Sequence, residues 1–492
     1  MRILTYCDVS KGDIAQRLGT PEYSYHFVLE AFSPALEQFA TVQRIVMPET
    51  EADRIWDDCC AAGEDCLLLS FTPPHKMPSG LRCPTIPVFA WEYPDLPQGW
   101  EEASWQADRR HDWRRALNRA GAAITLSTHT VEAVKNAIGQ TFPILSVPTP
   151  LWDKFSAERQ RKMLSPQRRS IDISMTVAMV DSHTLGLSAE GLVGDFRNDG
   201  TPSLPETDAL LPPMQPSKRA VWLTLNPLQL SPEDSELDSA FTGFGQVPSG
   251  WDIPPRTDVK ERLSGVVYTA VVTPTDGRKN WEDLITAFGW AFRDVEDATL
   301  VLKLGGPNLT RAHHQMLMLL TKLSPMKCRV VALHGYIDDA DYSQLIGATT
   351  YYVNTSLCEG LCMPLMEFLC CGIPAIAPDH TAMADYIDPN FAFVIESSGG
   401  HPAVWPHGDH QVHRTTRHQL NWNSLMLLFR HSYNVAKSEP VRYAAMSASA
   451  LQCMEAYCAT DVVGAALRAF LQPLASKHRH AALLQSHAES WS

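Results

Sequence analysis

Asn354 to Ile387 reads NTSLCEGLCMPLMEFLCCGIPAIAPDHTAMADYI. Two acids, Glu359 and Glu367, stand eight positions apart in it, with Gly360 and Pro364 between them and the short apolar run PAIAP after them. Proline suits the first turn of a helix, so a helix is expected from about Met363 to Cys371, followed by a strand. Gly360 allows a tight turn after the preceding strand. Glu367 then falls in the first helical turn and Glu359 in the loop before it. An acid in a first turn complements the helix dipole, which accounts for Glu367 but not for Glu359. Carboxylates only accept hydrogen bonds, which suits paired sugar hydroxyls. The amides of Leu361, Cys362 and Met363 suit a phosphate.

The segments around this stretch alternate strand and helix. SGVVYTAVVTP opens at Ser264, and NWEDLITAFGWAFRDV, ATLVLKLG, a helix from about Thr310 to Leu323, CRVVAL, DADYSQLIGA and TYYVNT follow. The first 150 residues show the same rhythm, from RILTY through DCLLLSF, TIPVFAW and GAAITLS to FPILSVP. Such alternation implies doubly wound parallel sheets. Between them the rhythm breaks in Pro-rich sequence, although RAVWLTLNP could still add a strand there. The expected division is a Rossmann-like domain over 1–165, an insertion or linker over 166–263, a second Rossmann-like domain over 264–420, and helices with a frayed tail over 421–492. Ligands of open parallel sheets bind beyond the carboxyl ends of the strands. The loops after VVYTAVV, CRVVAL and TYYVNT should therefore face a cleft between the domains.

One of these loops is TPTDGRKNWEDLITAF, which puts Arg278 and Lys279 just before a helix. The dipole disfavours cations there. Their placement makes sense if an anion sits at the same helix start, held by them and by backbone amides.

Taken together, these motifs resemble family 4 of the retaining GT-B glycosyltransferases. That family shows Ser-x-x-Glu-Gly-Phe-Gly-x-Pro-x-x-Glu followed by Ala-Cys-Gly-x-Pro-Val. Ser356, Glu359, Gly360, Pro364, Glu367, Cys371, Gly372 and Pro374 match in register. GRKNWEDLITAF resembles the family's pyrophosphate-binding segment, and LHGYIDDADYSQLIGATTYYVNTS its stretch of glycine, acids, leucine and serine. The resemblance runs from about residue 265 to 390. It implies a GT-B fold: two Rossmann-like domains facing a central cleft, with C-terminal helices. It further implies that Glu367 binds the ribose hydroxyls, and that Glu359 with the backbone of Leu361, Cys362 and Met363 binds the donor hexose and its phosphates. Arg278 and Lys279 are expected to neutralise the departing pyrophosphate, with no metal or other cofactor. Gly335 and Tyr336 fall where the family contacts the base. Leu361-Cys362 replaces the family's Phe-Gly, and Thr273 replaces a second arginine. In the first domain RLGTPEY offers Gly19 where relatives carry a Gly-Gly loop. FAWEYPDLP carries Trp91 and Glu92 where many carry a histidine, and Glu92 is expected to face the acceptor.

Bulk composition agrees with a soluble multidomain chain: 492 residues, 45% hydrophobic and 20% charged. A net charge of −14 argues against a nucleic-acid binder. No signal peptide or spanning run is read in the sequence, and the twelve cysteines lack zinc spacing. A cytoplasmic enzyme with reduced thiols is expected, using a UDP- or GDP-sugar and a glycan or lipid-linked acceptor. The basic stretch Asp108 to Ala120, with Trp113, is a candidate for peripheral contact with an inner membrane face. His401 to His418 reads as an irregular polar loop. Two other readings stay open: a non-catalytic GT-B module that binds a sugar nucleotide or glycan, and a GT-B epimerase, which lacks the spaced glutamates.

Overall fold

The computed structural model describes residues 1–9, 23–98, 111–164, 170–187, 251–306, 309–405 and 413–489. Gly19 and RAVWLTLNP lie outside the described residues.

Strands β1 (Arg2–Tyr6), β2 (Thr41–Arg44), β3 (Cys66–Ser70), β4 (Thr85–Phe89), β5 (Ala123–Thr125) and β6 (Ile144–Ser146) form a parallel sheet in the order β2-β1-β3-β4-β5-β6. β3 reads CLLLS and is buried throughout, as expected of a strand covered on both faces. Helices Tyr23–Glu37, Pro48–Ala61, Trp113–Ala120 and Thr128–Ile138 make crossovers. The order reverses between β1 and β3, a switch point of the kind at which such sheets bind ligands.

The second sheet contains β7 (Ser170–Asp181), β8 (Thr257–Ser264), β9 (Val266–Val272), β10 (Ala298–Leu304), β11 (Arg329–His334), β12 (Tyr351–Val353), β13 (Ala375–Ala377) and β14 (Ala392–Val394). Its order is β14-β13-β12-β9-β10-β11-β7-β8. The six strands from β14 to β11 are parallel, while β7 and β8 join antiparallel. The switch point lies between β9 and β12. The loops that follow these two strands carry Arg278 with Lys279, and Glu359.

Two strands thus lie within the stretch expected to be insertion or linker. In β7, Ile173, Met175 and Val177 alternate into an apolar layer with Val301, Val331 and Leu333. That period-2 signal was readable, but the Pro-rich sequence after it masked it. β8 reads TDVKERLS and is mostly exposed, so little in its pattern marks a sheet edge.

Helices Trp422–Ser438, Pro440–Cys458 and Thr460–Glu489 close the fold. The first packs Leu425 and Phe429 on the second domain's core. The last returns to the first domain, where Gln38 Nε2 donates to Asp461 Oδ1 at 2.7 Å. The tail expected to fray is helical to Glu489.

The expected loop over His401 to His418 is instead part of a hairpin, β15 (Ser397–Trp405) and β16 (His413–Leu420); residues 406–412 lie outside the described residues. Trp405 packs on Trp91 with ring centroids 5.1 Å apart, and a His413 ring nitrogen lies 3.0 Å from the Asp95 carbonyl. These anchoring partners are some 300 positions away in sequence, which is why local composition read as a loop. Trp113 also departs from expectation. It is 2% exposed and packs on Trp91 and Phe89, so it belongs to the core and cannot anchor in a lipid interface. Arg114 and Arg115 pair with the capping Asp112.

Candidate functional site

The loop after β9 begins the site. Asp276 accepts from the Arg278 amide at 3.3 Å and so fixes the short turn Gly277–Lys279. Asn280 follows in the left-handed region, with φ of 49°. Asparagine tolerates that conformation better than most residues. The turn aims Arg278 inward, where it meets three carboxylates. Its guanidinium lies 2.6 Å from Glu359 Oε2, 2.9 Å from Asp276 Oδ2 and 3.3 Å from Glu92 Oε1. It also donates to the Cys358 carbonyl at 3.1 Å. Lys279 Nζ pairs with the other oxygen of Glu359, which also accepts from Ser356 Oγ at 2.6 Å.

Four of the sequence-predicted residues, Arg278, Lys279, Glu359 and Glu92, therefore converge, and Glu92 comes from the loop after β4 in the other domain. This contact shows that the carboxyl ends of the two sheets face one another. Glu359 is buried, and burial alone raises a carboxyl pKa; Arg278 and Lys279 outweigh that and hold it at about 2. Glu92 shifts the other way. Burial pushes it up, Asp276 and Glu359 add to this, and Arg278 only partly offsets them. One carboxylate is locked in its charged form and its neighbour is biased toward holding a proton.

Glu367 occupies a second place in the cleft. It projects from helix Met363–Cys370, and Tyr342 donates its hydroxyl to Oε2 at 2.6 Å. Burial raises its pKa, against the lowering effects of Lys154 and Tyr342. Tyr342 gave no signal in the sequence, because its helix partner in space lies 25 positions away.

The loop between the two glutamates differs from expectation in one respect. Gly360 is not needed for a turn, since its φ is not positive. It is needed for a close approach: a Cβ there would sit 2.9 Å from Ala90 Cβ and 3.0 Å from the Trp91 amide nitrogen. Cys362 carries the unusual backbone instead, at φ 65°. Leu361 is buried, and its carbonyl accepts from Tyr386 at 2.7 Å. Met363 begins the helix.

One further residue, not foreseen, supports Glu359. Thr381, itself at φ 52°, accepts from the Glu359 amide at 3.0 Å. His380 beside it stacks on His418 at 4.0 Å. Asp385, at the end of the same short turn, accepts from the amide of Thr128 at 2.8 Å and so caps a helix start in the first domain.

Gly335 and Tyr336 follow β11. Gly335 has φ of 87°, a conformation that favours glycine. Arg256 donates to the Tyr336 carbonyl at 2.6 Å and to the Thr176 carbonyl at 2.7 Å, so the segment expected at the base is braced by β7. A cavity of about 400 Å³ opens there, lined by Thr176, Arg256, Asp258, Lys260 and Tyr336. A second, of about 520 Å³, lies beside Gly277 and Asn280 with Arg311 in its wall.

Among the described residues no three His, Cys, Asp or Glu side chains group as metal ligands, and no disulfide forms. Burial pushes the thiols of Cys358 and Cys362 up to about 12.

Residues 268–401 match the family model for glycosyl transferases group 1, a region that holds Arg278, Lys279, Glu359 and Glu367. Among solved structures, sucrose-phosphate synthase from Thermosynechococcus elongatus matches over 97% of this chain and 99% of its own, with a TM-score of 0.50 and 11% identity. At that identity the likeness is one of fold, and the fold is GT-B. WaaG, a glycosyltransferase involved in lipopolysaccharide biosynthesis, matches over 96% of this chain and 99% of its own (TM-score 0.46, 12% identity). The pneumococcal O-GlcNAc transferase GtfA, solved with UDP and GlcNAc, matches over 87% of this chain and 60% of its own (TM-score 0.40, 12% identity). No curated protein matches the chain in sequence.

Proposed function

We propose that this chain is a glycosyltransferase that moves a hexose from a nucleotide sugar to a glycan or lipid-linked acceptor with retention. The observation that carries the reading is the convergence of Glu359, Arg278 and Lys279 at the switch point of the second sheet, against Glu92 of the first domain. In this reading Glu367 takes the ribose hydroxyls. Its carboxylate keeps one oxygen for them while Tyr342 holds the other. Glu359, ionised and fixed, accepts from the hexose hydroxyls, and the Leu361 to Met363 backbone lies against the phosphates.

As the bond from the sugar to the pyrophosphate lengthens, charge grows on the leaving oxygen. Lys279 has one carboxylate partner, whereas Arg278 has three. Lys279 is therefore the cation that turns toward the leaving group, and Arg278 holds Glu359 and Glu92 in place. Lys279 supplies positive charge of the kind that a divalent ion would otherwise bring. Glu92 reaches the cleft from the first domain and, in this reading, faces the acceptor. Its raised pKa suits a carboxyl that exchanges a proton with an attacking hydroxyl.

No helix among the described residues is long and apolar enough to cross a membrane. We propose a cytoplasmic location on separate grounds: the twelve cysteines are all thiols and none forms a disulfide, as a reducing compartment keeps them. Any contact with a membrane face would rest on arginines of the Trp113–Ala120 helix, since Trp113 itself is buried.

Two observations favour the non-catalytic alternative: Arg278 is already saturated by carboxylates, and Thr273 stands where the family has another arginine. A thermal-shift screen with UDP, GDP, ADP and their common sugar conjugates, without added metal, tests the reading. A ligand that binds the native state raises the midpoint. One nucleotide should shift it, Glu367→Ala should abolish the shift, and the conjugate should be consumed with an acceptor present. Binding without turnover over a panel of acceptors supports a module that binds a sugar nucleotide; no shift with any nucleotide contradicts the transferase reading and moves weight to a glycan-binding module.

A further inference from the structure

Lys303 lies one residue from the carboxyl end of β10, in register with Val271 of β9 and Leu333 of β11. The strand reads ATLVLKL and all seven residues are buried. Side chains alternate across a sheet, so Lys303 shares a face with Val301, which packs with Val267, Val331 and Ile337. A lysine at this position continues an apolar layer with its stem and ends it with a charge. Lys303 is 8% exposed. Among the described residues, no hydrogen bond or ion pair reaches its ammonium.

Other buried cations in this fold are paired. Arg278 has three carboxylates, Arg329 has Asp181 and Glu261, and Lys162 donates to the Thr349 carbonyl. A charge held in so largely desolvated a place opposes folding, so Lys303 is costly to the apo protein. The charge that acts on it is that of Glu367, which partly offsets a pKa lowered by burial to about 8. Glu367 in turn is bonded by Tyr342, not by Lys303. Glu367, Tyr342 and Lys303 thus mark one end of the cleft, next to the Gly335 and Tyr336 turn that follows the neighbouring strand β11.

An ammonium only donates, so whatever completes this site must present an acceptor oxygen. We propose that Lys303 is a further donor-binding residue, whose ammonium donates to an oxygen of the bound nucleotide beside the hydroxyls taken by Glu367. This rests on the nucleotide-sugar reading given above. The oxygen belongs either to the nucleoside or to the phosphates, and the two are separable by experiment.

The test is titration of the full chain and of Lys303→Met with UDP, GDP, ADP and inorganic pyrophosphate, together with the unfolding midpoint of each protein without ligand. Methionine keeps the stem and removes the charge. The proposal expects an unliganded midpoint equal to or above that of the parent, and nucleotide affinity at least tenfold weaker. Unchanged pyrophosphate affinity then assigns the contact to the nucleoside, and a matching loss assigns it to the phosphates. A structural role, in which Lys303 merely balances Glu367, predicts the opposite sign in the midpoint. Nucleotide affinity within twofold of the parent overturns the proposal, and so does loss of the folded state in both Lys303→Met and Lys303→Gln. If the parent binds none of the three nucleotides, the nucleotide-sugar reading itself fails, and this inference with it.

Discussion

Glu92 of the first domain lies 3.3 Å from Arg278 of the second, and Arg278 in turn lies 2.6 Å from Glu359. One guanidinium therefore ties the first domain's side of the cleft to the second's. Glu92→Gln removes the charge but leaves Arg278 with Asp276 and Glu359. Stability in urea should change by less than about 1 kcal/mol, because two charged partners of the guanidinium remain. Transfer, measured as nucleotide release with acceptor, should fall by about a hundredfold or more, the scale of lost acid–base assistance. Retention of full activity would remove Glu92 from the reaction.

Glu359 makes the fold acid-sensitive in a defined window. Its folded pKa of about 2 lies below the ordinary value of 4.5. A carboxyl depressed in this way stabilises the native state above pH 4.5, and that contribution is lost as pH falls from about 4.5 toward 2. Urea midpoints of the parent and of Glu359→Gln should converge across that window, with the parent losing more. Parallel curves would mean that Glu359 is not held by Arg278 and Lys279.

Gly360 separates packing between domains from packing within them. Its missing Cβ would meet Ala90 and Trp91, so Gly360→Ala should push the domains apart while leaving each sheet intact. Circular dichroism should be unchanged, and the radius of gyration from small-angle scattering should rise slightly. Transfer should drop by about a hundredfold, the scale that follows from an ångström of misplacement. Wild-type activity in this variant would show that the closed approach is dispensable.

Cys362 holds φ at 65°, which costs a residue with a Cβ about 1–2 kcal/mol. A β-branched side chain tolerates it worst. Cys362→Val should therefore lose about 2 kcal/mol or more in urea unfolding. Cys362→Gly should stay within about 1 kcal/mol of the parent, as relief of backbone strain offsets the lost buried thiol. The reverse ranking would show that the thiol, which accepts from Asn354 Nδ2 at 3.5 Å, and not the backbone, decides this position.

The core of the second domain was legible because its signals are local. Arg278 and Lys279 stand next to each other, and Glu359, Pro364 and Glu367 fall within nine positions; apolar runs such as VVYTAVV need no distant partner to be recognised. What escaped depends on contacts between remote segments. β7 alternates plainly, yet it pairs with β11 across about 150 positions. The hairpin of β15 and β16 finds its anchors in Trp91 and Asp95 of the other domain. Trp113 looked like a membrane anchor on a basic helix, and only the tertiary neighbours Trp91 and Phe89 reveal it as core. Tyr342 and Thr381 meet the two glutamates the same way: each has an ordinary sequence context and acts through its position in space.

The most direct test of the central claim is isothermal titration of the responding nucleoside diphosphate into the parent, Glu367→Gln and Lys279→Ala. Glu367 and Lys279 stand at the two proposed ends of one ligand, the ribose and the pyrophosphate. The account predicts that each substitution weakens binding by at least tenfold while both proteins stay folded. Affinities unchanged in both variants would contradict it, and would place any nucleotide somewhere other than the cleft between these two residues.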